Sequence, residues 1–247
     1  MKIAVISDIH GNMEAVNAVL NDIEKKGCEK VFVLGDYAMA GPEPAATTGF
    51  FWTKRFDPNY VLIQGNTDLM IANYSNNLYE ELKEKAPVMA EALKNDAAVL
   101  NDDEKNFLKN LPIQLEKEFE GVKFLLVHGS PRKNNEDILP DTPLSEVEDM
   151  LKYVSSDVVL CGHTHIPCGF QTSKKITVVN AGSIGRPFTK NPQACYLIID
   201  VKDGKCIFEH QFVDYDNKTA SEKLRKRYFP GSDKLAIMLI NPEKRHF

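Results

Sequence analysis

The chain has 247 residues, of which 43% are hydrophobic, which is enough to bury a full core in one large domain or two small ones. The net charge of −5 is unevenly spread, because residues 218–247 hold eight basic and three acidic residues and leave −10 for the remainder. An acidic body argues against binding to long nucleic-acid duplexes, which depends on neutralising many phosphates.

The lack of a recognisable secretory signal or membrane span, together with the odd number of cysteines, favours a location inside the cell. No apolar run reaches membrane-spanning length, and Met1 leads directly into a strand-like segment. We therefore expect a cytoplasmic protein without a membrane partner. The five cysteines are odd in number and are expected to be thiols. Cys161 and Cys168 are candidate soft metal ligands, but Cys161 ends an apolar run, which favours a small buried side chain.

Short apolar runs alternate with segments of helical period from the start of the chain. When Gly and polar residues bound such runs, the pattern is typical of buried parallel strands in an α/β protein. Five runs fit this description: Ile3–Ile6, Val31–Leu34, Val61–Ile63, Phe124–Val127 and Val158–Leu160. Functional groups are then expected at the carboxyl ends of these strands, where open α/β sheets place their sites.

Helical patterns fill the intervals between these runs. Helices are predicted at Met13–Lys26, whose apolar residues share one face, and at Glu43–Phe56. Leu69–Asn110 is rich in Ala, Leu, Glu and Lys and predicts two or three helices, which Pro87 interrupts. Thr142 is predicted to cap a further helix that has Pro143 at its first position.

After residue 165 the pattern changes to closely spaced strands. Four are predicted, at Gly169–Thr172, Ile176–Asn180, Ala194–Val201 and Cys206–Val213. Asp203-Gly204 between the last two is a two-residue hairpin signal. Helices early and strands late predict an α/β protein in which two mixed β-sheets pack face to face and are flanked by helices. This is a four-layer α/β/β/α sandwich.

The C-terminal residues 217–247 are predicted to form a basic helical extension of a domain that spans residues 1–216. Ala220, Leu224 and Tyr228 form an apolar stripe at helical spacing, and Ala236–Ile240 is uniformly apolar. An exposed run of this kind would favour aggregation. We therefore expect the extension to pack on the acidic domain or on a second subunit, and the latter would give a homodimer.

Polar motifs follow the five early strands. They are Asp8-Ile9-His10-Gly11-Asn12, Gly35-Asp36-Tyr37, Gly65-Asn66-Thr67-Asp68, Val127-His128-Gly129 and Cys161-Gly162-His163-Thr164-His165. Each motif alone is more often structural, but four of the six histidines fall at strand ends, and three of these four are next to a Gly. Carboxylates, imidazoles and an amide oxygen from several strand ends suit a pair of divalent cations. Asp36, between the two halves, is the expected bridging carboxylate.

The order DIHGN, GD, GN-x-D, HG and GHTH resembles the calcineurin-like metallophosphoesterases, and NAGSIGRP at Asn180–Pro187 resembles their small bacterial and archaeal phosphodiesterase branch. The resemblance covers about residues 1–200 and implies a β-sandwich flanked by helices. It implies two divalent metal ions, with Mn, Fe, Ni, Co or Zn as candidates. One would be held by Asp8, His10, Asp36 and His165, and the other by Asp36, Asn66, His128 and His163.

One position departs from the family pattern. Much of the family has GNH followed by an acid, whereas here Thr67 precedes Asp68, so the imidazole thought to protonate the leaving oxygen is absent. Asp68 either supplies the acid or orients a neighbouring group. For substrate binding we predict Asn12, which the resemblance implies orders the first loop, together with Thr67, Arg132 and Arg186. A guanidinium at Arg186, in a Gly-rich loop, can clamp a phosphate oxygen.

These features predict a metal-dependent phosphoric ester hydrolase that acts on phosphodiesters or small phosphorylated metabolites through a metal-bridging hydroxide. Its predicted catalytic residues are Asp36, Asn66, Asp68 and His128. A protein Ser/Thr phosphatase is the alternative, although that class normally keeps the GNH histidine. A non-catalytic scaffold, as in the retromer-type relative, is disfavoured because every expected metal-ligand position is filled. A nuclease would lack an obvious basic channel.

Overall fold

Residues 1–242 are described by a computed structural model, in which ten strands pair into two sheets. The strands are β1 (Lys2–Ile6), β2 (Lys30–Val33), β3 (Tyr60–Leu62), β4 (Gln114–Phe119), β5 (Val122–Val127), β6 (Val158–Cys161), β7 (Cys168–Gln171), β8 (Thr177–Asn180), β9 (Ala194–Lys202) and β10 (Lys205–Val213). The helices of the same residues are α1 (Met13–Lys25), α2 (Pro44–Lys54), α3 (Asn66–Ala72), α4 (Asn76–Lys85), α5 (Pro87–Val99), α6 (Asp102–Asn110), α7 (Leu144–Met150), α8 (Asn217–Arg225) and α9 (Ser232–Ile240).

Both sheets combine a parallel group of three strands with antiparallel strands. The first has the order β10-β9-β1-β2-β3, in which β1, β2 and β3 run parallel and β9 and β10 are antiparallel additions. The second has the order β4-β5-β6-β8-β7, in which β5, β6 and β8 run parallel between two antiparallel edge strands. Each sheet therefore gathers the carboxyl ends of three parallel strands at one edge.

Alternation along the strands divides the core into three apolar layers. One side of β1, with Ile3 and Val5, packs in a cluster with Leu126 and Leu160 of the second sheet. The other side of the first sheet packs against helices that include α1, α8 and α9. The outer side of the second sheet packs against α7. The predicted four-layer α/β/β/α sandwich is confirmed.

One strand was missed, and two local predictions need correction. Strand β4 was not predicted, because its residues alternate between exposed and half-buried on the edge of a sheet. Helix α3 begins at Asn66, inside a predicted ligand motif and ahead of Leu69. The predicted Thr142 cap is wrong, since α7 begins at Leu144 with Pro143 at the N-cap. The Thr142 hydroxyl instead accepts a hydrogen bond from the Leu139 N–H at 2.8 Å.

The C-terminal helices α8 and α9 pack against each other, and α8 lies on α1. Ala220 and Leu224 are buried, but Tyr228 lies beyond the end of α8 and is 85% exposed, so its place in the apolar stripe is wrong. Lys223 forms ion pairs with Glu14 and Glu43. Part of the basic charge is therefore neutralised within the chain. A domain boundary after residue 216 and self-association stay predictions, and residues 243–247 lie outside the described residues.

The cysteines and the helix lengths agree with two of the expectations from the sequence, thiols without disulfides and no membrane-spanning helix among the described residues. All five cysteines are free, and Cys161 and Cys195 are buried. Within residues 1–242, every helix is too short or too polar to cross a bilayer.

Candidate metal centre

The turns that follow the strands hold five of the seven predicted metal ligands in a left-handed backbone conformation. The φ angles are 55° at Asp8, 45° at His10, 58° at Asp36, 68° at His163 and 60° at His165. Non-glycine residues adopt such angles at a cost of about 1–3 kcal/mol, and they persist only where the surroundings enforce them. Here the strand-end turns enforce each other, because the Asp8 and His10 N–H groups donate to the Gly35 and Asp36 carbonyls at 3.1 and 2.9 Å. Strain of this kind clusters at functional sites.

Two glycines allow the predicted carboxylate ligands to sit against the backbone. A Cβ added at Gly65 would lie 2.1 Å from Asp36 Oδ1, and one added at Gly162 would lie 2.7 Å from Asp8 Oδ2. Any side chain at either position would displace the carboxylate. The close backbone approach expected from the neighbouring glycines therefore occurs at Asp8 and Asp36.

The ends of both sheets bring five of the predicted ligands to one buried centre. Asp8 Oδ1 lies 3.2, 3.8 and 3.9 Å from the Nε2 atoms of His165, His128 and His10. Asp36 Oδ2 lies 3.4 and 3.7 Å from Nε2 of His128 and His10. The Nε2 atoms of His10 and His165 are 3.1 Å apart. Side chains up to 155 positions apart in the sequence therefore meet within a few ångströms.

Backbone carbonyls orient the three buried imidazole rings. The Nδ1 partners are the carbonyl oxygen of Met39 for His10 (2.9 Å), of Leu34 for His128 (2.7 Å) and of Arg186 for His165 (2.6 Å). A carbonyl oxygen only accepts, so each Nδ1 carries the hydrogen and donates it. Each Nε2 atom points into the centre, and a neutral ring held this way offers its Nε2 lone pair to a metal ion.

The donor atoms fit divalent cations. Two groups of three side chains each bring their ligand atoms within 4.8 Å of one another: Asp8 with His10 and His165, and Asp8 with Asp36 and His128. Asp8 Oδ1 is buried without a hydrogen-bond donor among the described residues and faces imidazole nitrogens. A cation satisfies such a collection of acceptors, and mixed nitrogen and carboxylate ligands suit first-row transition metals and zinc. Neither group includes a cysteine.

Electrostatics keep most of these groups in the form that binds metal. Burial raises the pKa of Asp8, but His165 and His128 outweigh it and bring the pKa to about 2. The pKa of Asp36 is held far below its ordinary value, because His128 outweighs burial. Burial and repulsion from His165 lower the pKa of His10 to about 4. Burial also acts to lower the pKa of His128, but Asp36 and Asp8 raise it to about 10. The centre thus favours a positive charge at His128.

Two other predicted ligands lie beside this centre. Asn66 Oδ1 is 3.0 Å from His128 Nε2, so the amide reaches the group that contains Asp36. His163 belongs to neither group of three: its Nε2 atom lies 3.3 Å from Asp137 Oδ1, and its ring centroid is 5.3 Å from that of His128. The His163 backbone N–H donates to Asp8 Oδ2 at 3.0 Å. Its role as a metal ligand stays a prediction.

Asp68 joins the loop after β2 to the loop after β3. Its buried carboxylate accepts hydrogen bonds from the N–H groups of Asp36 (2.8 Å), Gly65 (2.8 Å) and Tyr37 (2.9 Å). Burial and the nearby Asp36 carboxylate raise the pKa of Asp68 to about 7. Of the two alternatives for Asp68, these contacts favour orienting a neighbour over supplying a proton. The Thr67 N–H adds a further bond to Asp36 Oδ1 at 2.9 Å.

The predicted substrate-binding residues have unlike surroundings. Asn12 is buried, caps α1 through the Ala15 N–H and donates to the Gly185 carbonyl at 3.0 Å, so it orders the first loop. Arg132 forms ion pairs with Glu136 and Asp149 at 2.7 and 2.5 Å, on the outer side of the second sheet.

Arg186 stands closer to the centre than Arg132. Its carbonyl orients His165, and its charge contributes to the low pKa of His10. The guanidinium Nη1 lies 3.6 Å from Met89 Sδ, and the guanidinium carbon lies 5.9 Å from the centroid of the Phe188 ring. Of the two predicted arginines, Arg186 is therefore the better placed to contact a substrate.

Sequence reasoning missed several residues around this centre. Asp137 lies in the polar loop 133–141, and the polarity of that loop was its only signal. Asp96, which accepts a hydrogen bond from the Ala40 N–H beside the Met39 carbonyl, carried no local signal.

A four-layer sandwich whose strand ends direct buried carboxylates and imidazoles at one point is the arrangement of a metal-dependent hydrolase. The chain belongs to the calcineurin-like phosphoesterase superfamily, whose domain model matches residues 1–204. Membership makes it a phosphoesterase of a metal-dependent family, as the motif resemblance implied.

Two relatives and one solved structure illustrate what this chain is similar to. An uncharacterized protein of Methanocaldococcus jannaschii is 33% identical over 246 residues, which cover 92% of this chain and 93% of that protein. Phosphodiesterase YfcE of Escherichia coli K12 is 26% identical over 203 residues, which cover 81% of this chain and 88% of that enzyme. The crystal structure of a hypothetical protein from Pyrococcus horikoshii OT3 superposes with a TM-score of 0.85 at 24% identity, covering 97% and 98% of the two chains. That structure shows the same fold.

Proposed function

We propose that the chain hydrolyses phosphodiesters or other small phosphorylated substrates with two divalent metal ions. The proposed ligands are Asp8, His10, Asp36, Asn66, His128, His163 and His165. The observation that carries the proposal is the buried Asp8 Oδ1 atom, which has no hydrogen-bond donor among the described residues and faces three imidazole nitrogens. Such ions activate water for attack on phosphorus and polarise the phosphoryl oxygens. The naming of the Escherichia coli relative as a phosphodiesterase supports the substrate class.

We assign the other steps of binding and catalysis to residues in and around the centre. Asp8 and Asp36 supply the negative charge that holds two cations, and the backbone partners of the histidines keep their rings aimed. Arg186 is the proposed contact for a non-bridging phosphate oxygen, because a guanidinium matches that oxygen in geometry and charge. Thr67 stands where much of the family has an imidazole, and its hydroxyl is far too weak an acid to protonate a leaving oxygen near neutral pH. Esters with good leaving groups are therefore the favoured substrates.

A paired measurement of metal content and activity tests the proposal. Purified wild-type protein, loaded with Mn²⁺ and desalted, is expected to retain close to two ions per chain. It should hydrolyse bis(p-nitrophenyl) phosphate faster than a phosphoserine peptide. His165→Gln should lose bound metal and activity together. Asp203→Asn is the control, because Asp203 is exposed in the hairpin turn between β9 and β10 and should behave as wild type.

Two results would contradict the proposal. One is a wild-type protein that retains no metal, and the other is a folded His165→Gln variant with wild-type metal content and turnover. Preference for the phosphoserine peptide would instead support the protein phosphatase alternative.

A further inference from the structure

The segment Met39–Gly41 contains the Met39 carbonyl, which orients the His10 ring. Met39 and Ala40 both have left-handed backbone angles, with φ of 55° and 65°. The Met39 carbonyl accepts the His10 Nδ1–H at 2.9 Å. Two consecutive non-glycine residues in this conformation relax unless other parts of the molecule hold them.

A buried ion pair between Asp96 and Arg227 holds this segment. Asp96 Oδ2 accepts the Ala40 N–H at 2.8 Å, and Arg227 Nη1 donates to the Gly41 carbonyl at 2.7 Å. The same Nη1 lies 2.6 Å from Asp96 Oδ1. The Asp96 side chain is fully buried and that of Arg227 is 9% exposed. The Ala40 N–H and the Gly41 carbonyl, which both follow Met39, are therefore tied to one charge pair.

The Arg227 guanidinium connects the C-terminal segment to two other parts of the chain, α5 and the strained segment. Besides Asp96 and Gly41, its Nη2 donates to Asn95 Oδ1, so α5 and the strained segment meet on one side chain. A lysine ammonium at this position has the charge but lacks the planar fork that reaches several acceptors in fixed geometry. Arg227 follows α8 and lies beyond residue 204, where the match to the family domain ends.

We propose that Asp96 and Arg227 are positioning residues for the metal centre, through which the C-terminal extension sets metal affinity. They act on His10 through the Met39–Gly41 segment and touch neither metal nor substrate. The inference rests on the proposed role of His10 as a metal ligand. Residues that orient a metal-binding histidine typically change metal affinity 10- to 100-fold when they are replaced, and a change of about that size is expected here.

Titration with Mn²⁺ is the test, carried out on the full-length protein by calorimetry. Arg227→Met is expected to weaken Mn²⁺ binding about 10- to 100-fold, and Arg227→Lys should recover part of the loss. Excess Mn²⁺ should restore much of kcat, while KM for the ester stays near its wild-type value. Arg225→Met is the matched control, because Arg225 is exposed in the same segment and should leave Mn²⁺ affinity unchanged.

The double variant Asp96→Asn/Arg227→Met covers the case in which Arg227→Met does not fold. It removes both members of the pair, so no unpaired charge is buried, but the Gly41 carbonyl still loses its donor. Wild-type Mn²⁺ affinity in a folded Arg227→Met protein, or in the folded double variant, would overturn the inference. Absence of Mn²⁺ binding in the wild type would instead overturn the proposed function, so the two failures are distinguishable.

Discussion

The two sheets supply chemically unlike halves of the centre. The loops after the parallel strands of the first sheet carry both carboxylates, the amide and one imidazole, from Asp8, Asp36, Asn66 and His10. The loops of the second sheet carry only imidazoles, from His128, His163 and His165. The negative charge available to hold the proposed cations therefore comes from one side of the sandwich.

The two halves also differ in the burial of the contacts that hold their side chains. In the first sheet, Asp68 accepts three backbone N–H groups around Asp36, and the Met39–Gly41 segment is tied to a buried ion pair. In the second, the side-chain partner of His163 is Asp137, whose side chain is 62% exposed. The second half also contains His128 and His165, whose rings are held by buried carbonyls, so the contrast lies at His163, the most exposed of the four imidazoles.

The largest effect is expected from breaking the first half at Asp36. Asp36→Asn keeps an oxygen for the Thr67 N–H but removes the charge that the two proposed cations would share. We expect a loss of at least about 1,000-fold in kcat/KM at saturating Mn²⁺, or about 4 kcal/mol of transition-state stabilisation. Asp203→Asn in the exposed hairpin turn is the control. Turnover like that of the wild type in Asp36→Asn would remove Asp36 from the centre.

A smaller effect is expected from loosening the same half without removing a ligand. In Asp68→Asn one of the three backbone N–H groups faces an amide NH₂ group, and the loop that carries Asp36 loses a bond. We expect Mn²⁺ affinity to fall about 10- to 100-fold and the free energy of unfolding to fall by about 1–3 kcal/mol. Calorimetry and urea unfolding measure the two quantities.

Kinetics with esters of graded leaving-group pKa give an independent view of Asp68. The wild type should show a steep dependence of kcat/KM on leaving-group pKa, and Asp68→Asn should keep that slope. A flat dependence in the wild type that becomes steep in Asp68→Asn would identify Asp68 as the proton donor and contradict the orienting role.

A gain in activity is expected at Thr67, which is buried in the first turn of α3. Thr67→His places an imidazole near the leaving oxygen, where a well-positioned acid is typically worth about 10²–10⁴-fold. Because Thr67 is buried and leaves little room for a larger side chain, we expect only about a tenfold rise in kcat/KM on alkyl esters and little change on aryl esters. Thr67→Val controls for the lost hydroxyl. An equal rise on both kinds of ester would show that proton donation is not the cause.

The smallest effect is expected in the second half, at Asp137. An exposed ion pair contributes about 0–1 kcal/mol, so Asp137→Asn should change Mn²⁺ affinity less than about fivefold. Asp141→Asn, in the same loop, is the control. A loss comparable to that of Asp68→Asn would show that both sheets hold their ligands equally firmly.

Much of the fold follows from local patterns in the sequence. Ile3–Ile6 and Phe124–Val127 are apolar without interruption because both of their faces are covered, and such runs are visible in one sequence. Strand β4 is not visible in this way. Its polar residues alternate at an edge, and the Glu120-Gly121 turn into β5 was the only signal.

In the candidate site, too, the residues marked by local motifs were predicted and the features set by tertiary contacts were not. Asp8, Asp36 and His165 were predicted because their motifs stand directly after strands. The left-handed angles at Asp8 and His10 have no sequence signal, since these residue types give no indication of the neighbouring turn that enforces them. The contact of Arg227 with Asn95 spans 132 positions, and tertiary ties of that length leave no periodic trace.

The pairing of His10 with His165 also constrains when the centre forms during the life of the chain. Their Nε2 atoms are in contact although the residues are 155 positions apart. The two histidines can therefore come together only after β6, which precedes His165, has been synthesised. At about 5–20 residues per second, a ribosome takes many seconds to bridge that interval. Arg227 emerges later still. An ion held by ligands from both sheets would therefore bind only after the residues up to His165 have been synthesised and β6 has joined the second sheet.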